Sequence, residues 1–320
     1  TNHLFNDAPA EQWIKNGRRW IYESLIPGVT FKYEKKWTPE EISKYYLTQY
    51  GINSPHANGI ILDEFCNGID SEQLQGLELG MQNVEQKNKF IYPYFAGEPD
   101  TAQSLFALTT KFKSKVVIER YLPEAATEEA ELDDLKRYYV EYASKVRKMG
   151  YKPEDMIFAI GLMTAPNEST DSNPMVNFKT HLDMQFWILA NNPELKGLYG
   201  LVAYISKYAD EEYLRWYAQL CRHYCIEGRK EKFSREPYTL DHIYNPDFSQ
   251  STEGWDLNPA GTGTIEPGKM DGLSWLEGRY PRTSQGDTYL LLKSSASGSN
   301  RIQQKIRNLT SEDFIPLKCT

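Results

Sequence analysis

The sequence predicts an α/β protein: a (β/α)8 TIM-type barrel followed by a small all-β sandwich domain. Up to about residue 230, short and almost continuously apolar runs alternate with longer amphipathic runs. Strands that are covered on both faces by crossover helices have this composition. Repeated strand and helix units indicate a parallel sheet with right-handed crossovers. Near residue 235 the chain becomes rich in Gly, Pro, Ser and Thr, which is typical of turns between short strands.

Six apolar runs are predicted to be strands of the barrel. They are RRWIYESL (18–25), NGIILDEF (58–65), KFIYPYFA (89–96), SKVVIERYL (114–122), DMIFAIGLM (155–163) and GLYGLVAYIS (197–206). Helices with recognisable starts lie between them. In TPEE, Thr38 can cap a helix, Pro39 suits its first turn and Glu41 can close a capping box. A later helix is predicted to begin at Asp210 and to stop near Gly228.

An open, doubly wound sheet is the alternative to a barrel. No G-x-G-x-x-G follows the first strand, and the sequence contains no Walker loop. The usual phosphate-binding loop of a nucleotide-binding open sheet is therefore missing, which favours the barrel. Six strands are two fewer than a barrel needs. Either two strands precede Thr1 in a longer protein, or the patterns above miss some.

A domain boundary is predicted close to residue 240, with the barrel over residues 1–238 and the β-sandwich domain over residues 239–320. The second segment contains short strand-like pieces, such as TYLLLK, between clusters of turn residues. Its roughly eighty residues are few for a sandwich. This length suits an incomplete domain.

Composition narrows the classes of partner. A formal net charge of -8 and a pI near 5.3 work against a surface that tracks phosphates, so no nucleic-acid partner is predicted. No apolar run approaches the roughly 20 residues of a membrane-spanning helix, so no membrane span is predicted. The first residues, TNHLFNDAPAEQW, lack the charged and apolar regions of a signal peptide. The sequence carries no indication of an oligomeric state.

Histidine and cysteine spacing predicts neither a metal site nor a cofactor. The five histidines show no H-x-H or H-E-x-x-H pattern, and the four cysteines contain no C-x-x-C. Cys221 and Cys225 lie four apart in a helical pattern, which puts them on one helix face. Buried thiols without a function are the ordinary interpretation of such a pair. No G-x-S-x-G motif supports serine hydrolase chemistry.

The candidate site residues come from the ends of the predicted strands, because the loops after the strands form the functional face of a parallel barrel. One carboxyl group could protonate a leaving oxygen, a second could act as nucleophile or base, and aromatic rings could stack on a sugar. The candidates at these ends form a rim of carboxylates, rings and one amide: Glu23, Asp63, Glu64, Tyr92, Tyr94, Glu119, Tyr121, Asn167 and Tyr204.

Each carboxylate also has a structural alternative. Adjacent residues on an extended strand point to opposite sides, so Asp63 and Glu64 cannot both face the barrel centre unless the strand has already ended. One of the two is then expected to be structural. Glu119 can form an ordinary salt bridge, and Glu23 can be a buried carboxylate that holds a loop. Asp63, Glu64 and Glu119 remain the candidates for catalysis.

The whole chain resembles multidomain bacterial glycoside hydrolases, in which a TIM-barrel catalytic domain precedes a β-sandwich module that is similar to carbohydrate-binding modules. NGIILDEF is similar to the fourth barrel strand of several such families, where Gly, apolar residues and then Asp or Glu precede the cleavage site. NPDFSQSTEGWDLNPAGTGTI is similar to the opening strand of carbohydrate-binding modules, with Asn, Pro, one residue, Phe and then Gly-Trp. Trp255 and Trp275 are the candidates for ligand stacking there, although Trp more often forms the core of a small β-domain.

The resemblance implies cleavage of a poly- or oligosaccharide by a carboxylate pair, Asp63 or Glu64 with Glu119. It makes WIYESL the third strand and GLYGLVAYIS the eighth, and it implies an exported protein, periplasmic or extracellular, whose signal peptide is not in this chain. The chain departs from the large retaining clan, because its fourth strand lacks Asn-Glu and MIFAIGLMT, the seventh, ends without a carboxylate. That bare strand favours one alternative, a non-catalytic glycan-binding protein on a degenerate barrel. Another enzyme class, such as a lyase or sugar isomerase, is a further alternative.

Overall fold

The computed structural model describes residues 7–27, 36–66, 69–165, 168–173, 175–204, 209–246, 248–269 and 288–306. The chain divides into two compact units. Unit 1 is formed by Thr1–Arg120, Glu141–Ile160 and Glu194–Val202, and unit 2 by Tyr121–Val140, Gly161–Pro193 and Ala203–Thr320. The two units thus alternate along the sequence. The predicted division into 1–238 and 239–320 stays a prediction.

Unit 1 is built around a six-stranded β-sheet. Its strands are β1 (Ile21–Ser24), β2 (Gly59–Cys66), β3 (Phe90–Ala96), β4 (Val116–Arg120), β5 (Met156–Gly161) and β8 (Gly200–Tyr204). They are hydrogen-bonded in the order β1-β2-β3-β4-β5-β8, and the pairs from β1 to β5 are parallel. Each strand therefore lies beside its predecessor in this series. Right-handed crossovers in one direction place the connecting helices on one face of the sheet.

The helices begin and end largely where their caps predict. In unit 1 the capping box is present, since Glu41 N donates to Thr38 Oγ1 (3.3 Å) and Thr38 N donates to Glu41 Oε2 (3.1 Å). The unit 1 helices are α1 (Asp7–Lys15), α2 (Pro39–Thr48), α3 (Tyr50–Asn53), α4 (Ser71–Glu85), α5 (Gln103–Lys111) and α7 (Glu141–Lys148). Those of unit 2 are α6 (Glu128–Leu135), α8 (Phe178–Asn191) and α9 (Glu211–Leu220), with π-helical turns at Lys136–Val140 and Cys221–Ile226. Within the described ranges, no helix is long and apolar enough to cross a membrane.

The sheet of unit 1 curls. Arg19 precedes β1 and Tyr199 precedes β8, yet Arg19 Nη1 donates a hydrogen bond to Tyr199 Oη at 3.3 Å. In a flat sheet, strands about 4.8 Å apart would separate these two edges by roughly 24 Å, which is beyond the reach of the two side chains. The contact therefore requires a curled sheet. The predicted α/β class with a parallel sheet is confirmed.

Small antiparallel pairs make up the remaining strands. β6 (Thr164–Ala165) pairs with β7 (Glu168–Ser169). Closer to the C-terminal end, β9 (Asp256–Asn258) pairs with β12 (Arg301–Gln303), and β10 (Ile265–Lys269) pairs with β11 (Thr288–Leu292). The short antiparallel strands that the composition of this segment predicts are therefore present. Their assembly into a sandwich stays a prediction.

Candidate functional site

One face of the unit 1 sheet packs against the helices and is apolar. Ile60, Leu62, Phe95, Ile118 and Phe158 are completely buried there. Side chains alternate between the faces of a strand, so the neighbours of these residues lie on the opposite face. That opposite face carries the polar candidates.

The strand register places Glu23 and Tyr92 on this opposite face. Glu23 pairs with Ile61, and Ile61 pairs with Tyr92, so the three residues form one row across β1, β2 and β3. Glu23 is exposed, whereas Tyr92 is buried. Asp63 follows two residues after Ile61, which puts it on the same face and closer to the carboxyl end of β2.

A β-bulge in β2 brings Asp63 and Glu64 together. Leu62 pairs with Pro93 and Phe65 pairs with Phe95, so two residues of β2 lie opposite one residue of β3, Tyr94. In a regular strand, residues three apart would face opposite sides. Here Leu62 and Phe65 are both buried on the helix-packed face, because the bulge takes up the extra residue.

The bulge answers the question that the sequence raised about two adjacent carboxylates. Asp63 and Glu64 share the position opposite Tyr94, so the alternation of an extended strand does not separate them. Glu64 has a φ of 61°, the left-handed conformation that a side chain with a Cβ adopts at a cost of about 1–2 kcal/mol. Both side chains are half-buried. They stand on a strained backbone that a regular strand would not contain.

Glu119 lies on the same face of β4. It follows two residues after Val117, which pairs with Tyr94, and it pairs in turn with Ala159 of β5. Its exposed fraction is only 6%. Arg120 alternates to the other face, where its guanidinium donates to Gly97 O at 2.8 Å. Glu119 is therefore a buried carboxylate at the carboxyl end of its strand.

The amino-terminal end of the same face is aromatic and cationic. Tyr92 lies at this end and is hydrogen-bonded to Tyr199. Burial, this hydrogen bond and the charge of the Tyr199 phenol raise the pKa of Tyr92 to about 12. Arg19 also contacts Tyr92, and Lys115 lies 4.9 Å above the Tyr199 ring. Tyr92 thus belongs to the contacts that curl the sheet. Carboxylates occupy the carboxyl end, and Arg19 and Lys115 occupy the amino end.

Three other predicted aromatic candidates, Tyr121, Tyr204 and Trp255, contact neighbouring aromatic rings. Tyr121 and Tyr204 stack with ring centroids 4.7 Å apart and an interplanar angle of 4°. Trp255 donates from Nε1 to Asn245 O at 2.9 Å, and its ring contacts Phe248 at 5.2 Å. Trp255 is half-buried, and these contacts hold its ring within the loop; its role in ligand stacking stays a prediction. The predicted candidates Asn167 and Trp275 lie outside the described residues.

Sequence reasoning missed a buried ion pair in unit 2. His181 Nδ1 lies 2.9 Å from Glu131 Oε1, with both side chains at most 1% exposed. His181 Nε2 is 3.1 Å from Leu122 O, while Glu131 Oε2 accepts from Ala125 N (3.1 Å) and lies 3.0 Å from Tyr238 Oη. The signal in the sequence is a histidine inside helix α8, FKTHLDMQFWILAN, in which most residues are apolar.

The ion pair shifts both pKa values. Burial alone raises the pKa of Glu131, but the His181 charge and the hydrogen bonds outweigh burial and lower it overall. Burial alone lowers the pKa of His181, but the Glu131 charge and hydrogen bond raise it above its usual 6.5.

Two further carboxylates of unit 2 are hydrogen-bonded to backbone amides. Glu124 Oε2 accepts from the backbone amides of residues 172 and 173, both at 2.7 Å. Asp183 accepts from Ser234 N at 2.8 Å and Tyr224 Oη at 2.6 Å.

No metal site emerges from the described ranges. They contain no group of three or more His, Cys, Asp or Glu side chains that could hold an ion.

Comparison with known proteins does not assign a family. No protein-family model matches the chain, and no curated protein matches its sequence. Among solved structures, the chain is similar to dihydropteroate synthase from Xanthomonas albilineans with 4-aminobenzoic acid. The identity is 11% and the TM-score 0.32, over 63% of this chain and 93% of that chain.

These findings overturn the resemblance to glycoside hydrolases. The prediction of a glycoside hydrolase with a carbohydrate-binding-like module was wrong, because no such family model matches and the structural match is a dihydropteroate synthase. The predicted function, cleavage of glycosidic bonds or glycan binding, was wrong for the same reason. A strand that ends on Asp or Glu, and an Asn-Pro-x-Phe run, are short patterns that do not specify a family.

Proposed function

We propose that the carboxyl edge of the unit 1 sheet is an acid–base enzyme site for a small organic substrate that is neutral or cationic. The observation that carries this proposal is the bulge at Asp63 and Glu64, which places two carboxylates opposite Tyr94. Bulges are frequent next to active sites, where they re-aim side chains. Strained residues such as Glu64 also cluster at such sites, because there the strain serves the mechanism.

The chemistry follows from the groups at this edge. Carboxyl groups are common general acids and bases, and two of them side by side can exchange protons with different atoms of one substrate. The buried Glu119 lies on the same face as a third carboxylate. Negative charge repels phosphates and carboxylates, so a neutral or cationic substrate is preferred.

We further propose that the curled sheet belongs to a (β/α)8-type barrel and that β9 to β12 belong to a β-sandwich. The order β1-β2-β3-β4-β5-β8 supports the barrel, since neighbouring strands follow one another along the chain as barrel strands do. In such barrels the carboxyl edge is the functional face, which agrees with the position of Asp63 and Glu64.

The first experiment is ligand-detected NMR on the whole chain with a panel of small amines, guanidines, amino alcohols and diols, alongside phosphates and carboxylates. The variants are Asp63→Asn and Glu64→Gln. Glu85→Gln is the matched control, because Glu85 is an exposed carboxylate on α4 of the same unit. Compounds from the neutral and cationic groups should bind wild type and the control, and should bind Asp63→Asn or Glu64→Gln at least about tenfold more weakly.

Turnover is measured on the compounds that bind. Loss of an acid or base from a site of this kind slows the reaction by about 100-fold or more. One of the two variants should therefore convert the compound at least about 100-fold more slowly, while Glu85→Gln keeps the wild-type rate. Preferential binding of anions, or equal conversion by all four proteins, would refute the proposal.

A further inference from the structure

A pair of cysteines lies in the π-helical turn that follows α9 in unit 2. The turn covers Cys221–Ile226, and its wide hydrogen bond is present, with Glu227 N donating to Arg222 O at 2.9 Å. Single π turns within helices are rare and occur often at functional sites. Cys221 and Cys225 are four residues apart in this turn, so they lie on the same side of the helix.

Both thiols reach the surface. Cys221 and Cys225 lie four residues apart in this turn, and both are free cysteines. Cys225 is exposed and Cys221 is half-buried. The expectation that both thiols are buried was wrong, because this side of the π turn faces solvent. An accessible pair of this kind can react as one group.

The geometry of a helix argues against a disulfide between the two. Residues four apart on a helix have Cβ atoms about 5–6 Å apart, whereas a disulfide needs about 3.5–4.5 Å. A disulfide here would therefore strain the turn. A single atom that bridges the two sulfurs removes this requirement, because it lets the sulfurs stay further apart than in an S–S bond.

The number of donors selects the bridging atom. Zinc takes four ligands in structural sites and at least three from the protein in catalytic sites. No group of three or more possible ligands occurs among the residues that the structure describes, so this pair supplies only two donors. Soft thiolate sulfur suits soft centres such as Cu(I). Two thiols therefore match a soft centre that needs only two protein ligands.

We propose that Cys221 and Cys225 form a dithiol site that chelates a soft, thiophilic centre of low coordination number, namely Cu(I) or a monosubstituted trivalent arsenical. The site is separate from the proposed function of unit 1, and neither proposal depends on the other.

The two sulfurs have different roles. Interaction with the Cys221 thiol lowers the pKa of Cys225 to about 7, and interaction with Cys225 raises the pKa of Cys221. Cys225 is therefore the thiolate that attacks first, and Cys221 closes the ring. With an arsine oxide, two S–H bonds and the As–O bonding break, two As–S bonds form, and the thiol protons leave with the oxygen as water. No atom changes its oxidation state.

The test titrates phenylarsine oxide into the whole chain and follows the complex by native mass spectrometry. The variants are Cys221→Ser and Cys225→Ser, and the control is Cys66→Ser, which removes an exposed cysteine of unit 1. Wild type and the control should bind one arsenical that ethanedithiol removes and excess 2-mercaptoethanol does not. Each of the other two variants should lose at least about 100-fold in affinity, since an intramolecular second bond contributes a factor of about 10²–10⁴. A parallel arm with buffered Cu(I) and a competing chelator determines whether the metal binds the same pair.

The melting temperature shows whether the folded protein presents the site. A ligand that binds the folded state in preference to the unfolded chain raises Tm, so Tm should rise with one equivalent of phenylarsine oxide. A fall in Tm, or binding that both serine variants retain, would overturn the proposal. So would a wild-type protein in which Cys221 and Cys225 form a stable disulfide, shown by a mass lower by two hydrogens.

Discussion

The carboxylates of the two units are held in opposite ways. In unit 2, Glu131 and Asp183 are at most 1% exposed, and N–H and O–H groups at hydrogen-bonding distance surround them. In unit 1, Asp63 and Glu64 are half-buried and lie on a bulge whose backbone is strained at Glu64. The unit 2 carboxylates lie on regular helices, α6 and α8, and accept hydrogen bonds from buried donors. The bulge carboxylates sit on strained backbone at a sheet edge.

This difference indicates which carboxylates stabilise the fold and which are available for function. A buried charge is tolerated only where hydrogen bonds and an opposite charge replace its hydration. Glu131 and Asp183 satisfy that condition, so their contacts serve the fold. A carboxylate that handles protons of a substrate must stay reachable, and backbone strain is then tolerated for the sake of position. Substitutions in the two groups should therefore affect different measurements.

The largest expected effect is that of Glu131→Ala. It leaves the buried His181 without its partner, and breaking a buried ion pair from one side costs about 3–5 kcal/mol of unfolding free energy. Urea unfolding, followed by far-UV circular dichroism, measures the change. Glu129→Ala is the control, because Glu129 is exposed on the same helix and should change stability by less than about 0.5 kcal/mol. Equal losses from the two variants would remove the contrast between the units.

The same ion pair should give stability a defined pH window. The pKa of Glu131 is lowered from 4.5, so its contribution is complete above pH 4.5 and is lost as pH falls through the folded-state pKa. The pKa of His181 is raised from 6.5, so its contribution is complete below pH 6.5 and is lost as pH rises through its folded-state pKa. The stability difference between wild type and Glu131→Gln should be largest between pH 4.5 and 6.5.

The change of unfolding free energy with pH at the two ends of this window, its flanks, can be measured. Unfolding free energies of wild type and Glu131→Gln are compared across the pH range, and each flank can slope by at most about 1.4 kcal/mol per pH unit for one proton. A difference that is independent of pH would mean that Glu131 and His181 are not charged together in the folded protein.

The sequence predicts the strands of unit 1 well and the chemistry of its face only in part. Apolar runs locate the strands, because burial on both faces leaves a compositional signal. The bulge between Leu62 and Phe65 has no such signal, since it depends on register against β3. The partners of the His181–Glu131 ion pair come from residues 122, 125 and 238, and proximity of that kind is set by tertiary packing. The left-handed Glu64 is equally invisible to propensity, because glycine or asparagine would be expected there.

Glu64→Gly should stabilise the protein. Glycine adopts the left-handed conformation without the clash that a Cβ causes, although it also adds entropy to the unfolded chain. The net gain in unfolding free energy should be about 0.5–1 kcal/mol, measured by urea unfolding. Glu64→Ala keeps the clash and should show no such gain. A loss of stability in Glu64→Gly would show that the Glu64 side chain serves the fold and would move it into the same group as Glu131.

The smallest effect on stability should come from Asp63→Asn, and it gives the sharpest contrast with the same substitution at Asp183. Asp63 is half-buried at the bulge, so losing its charge should change the unfolding free energy by less than about 0.5 kcal/mol. At Asp183 the NH2 group of the new amide would face the backbone donor of either Phe233 or Ser234, at a cost of about 1–3 kcal/mol. Urea unfolding of both variants provides the test. If Asp63→Asn lowered the unfolding free energy more than Asp183→Asn, the Asp63 carboxylate would be a structural group. The strained bulge would then serve the fold and not the binding of a substrate.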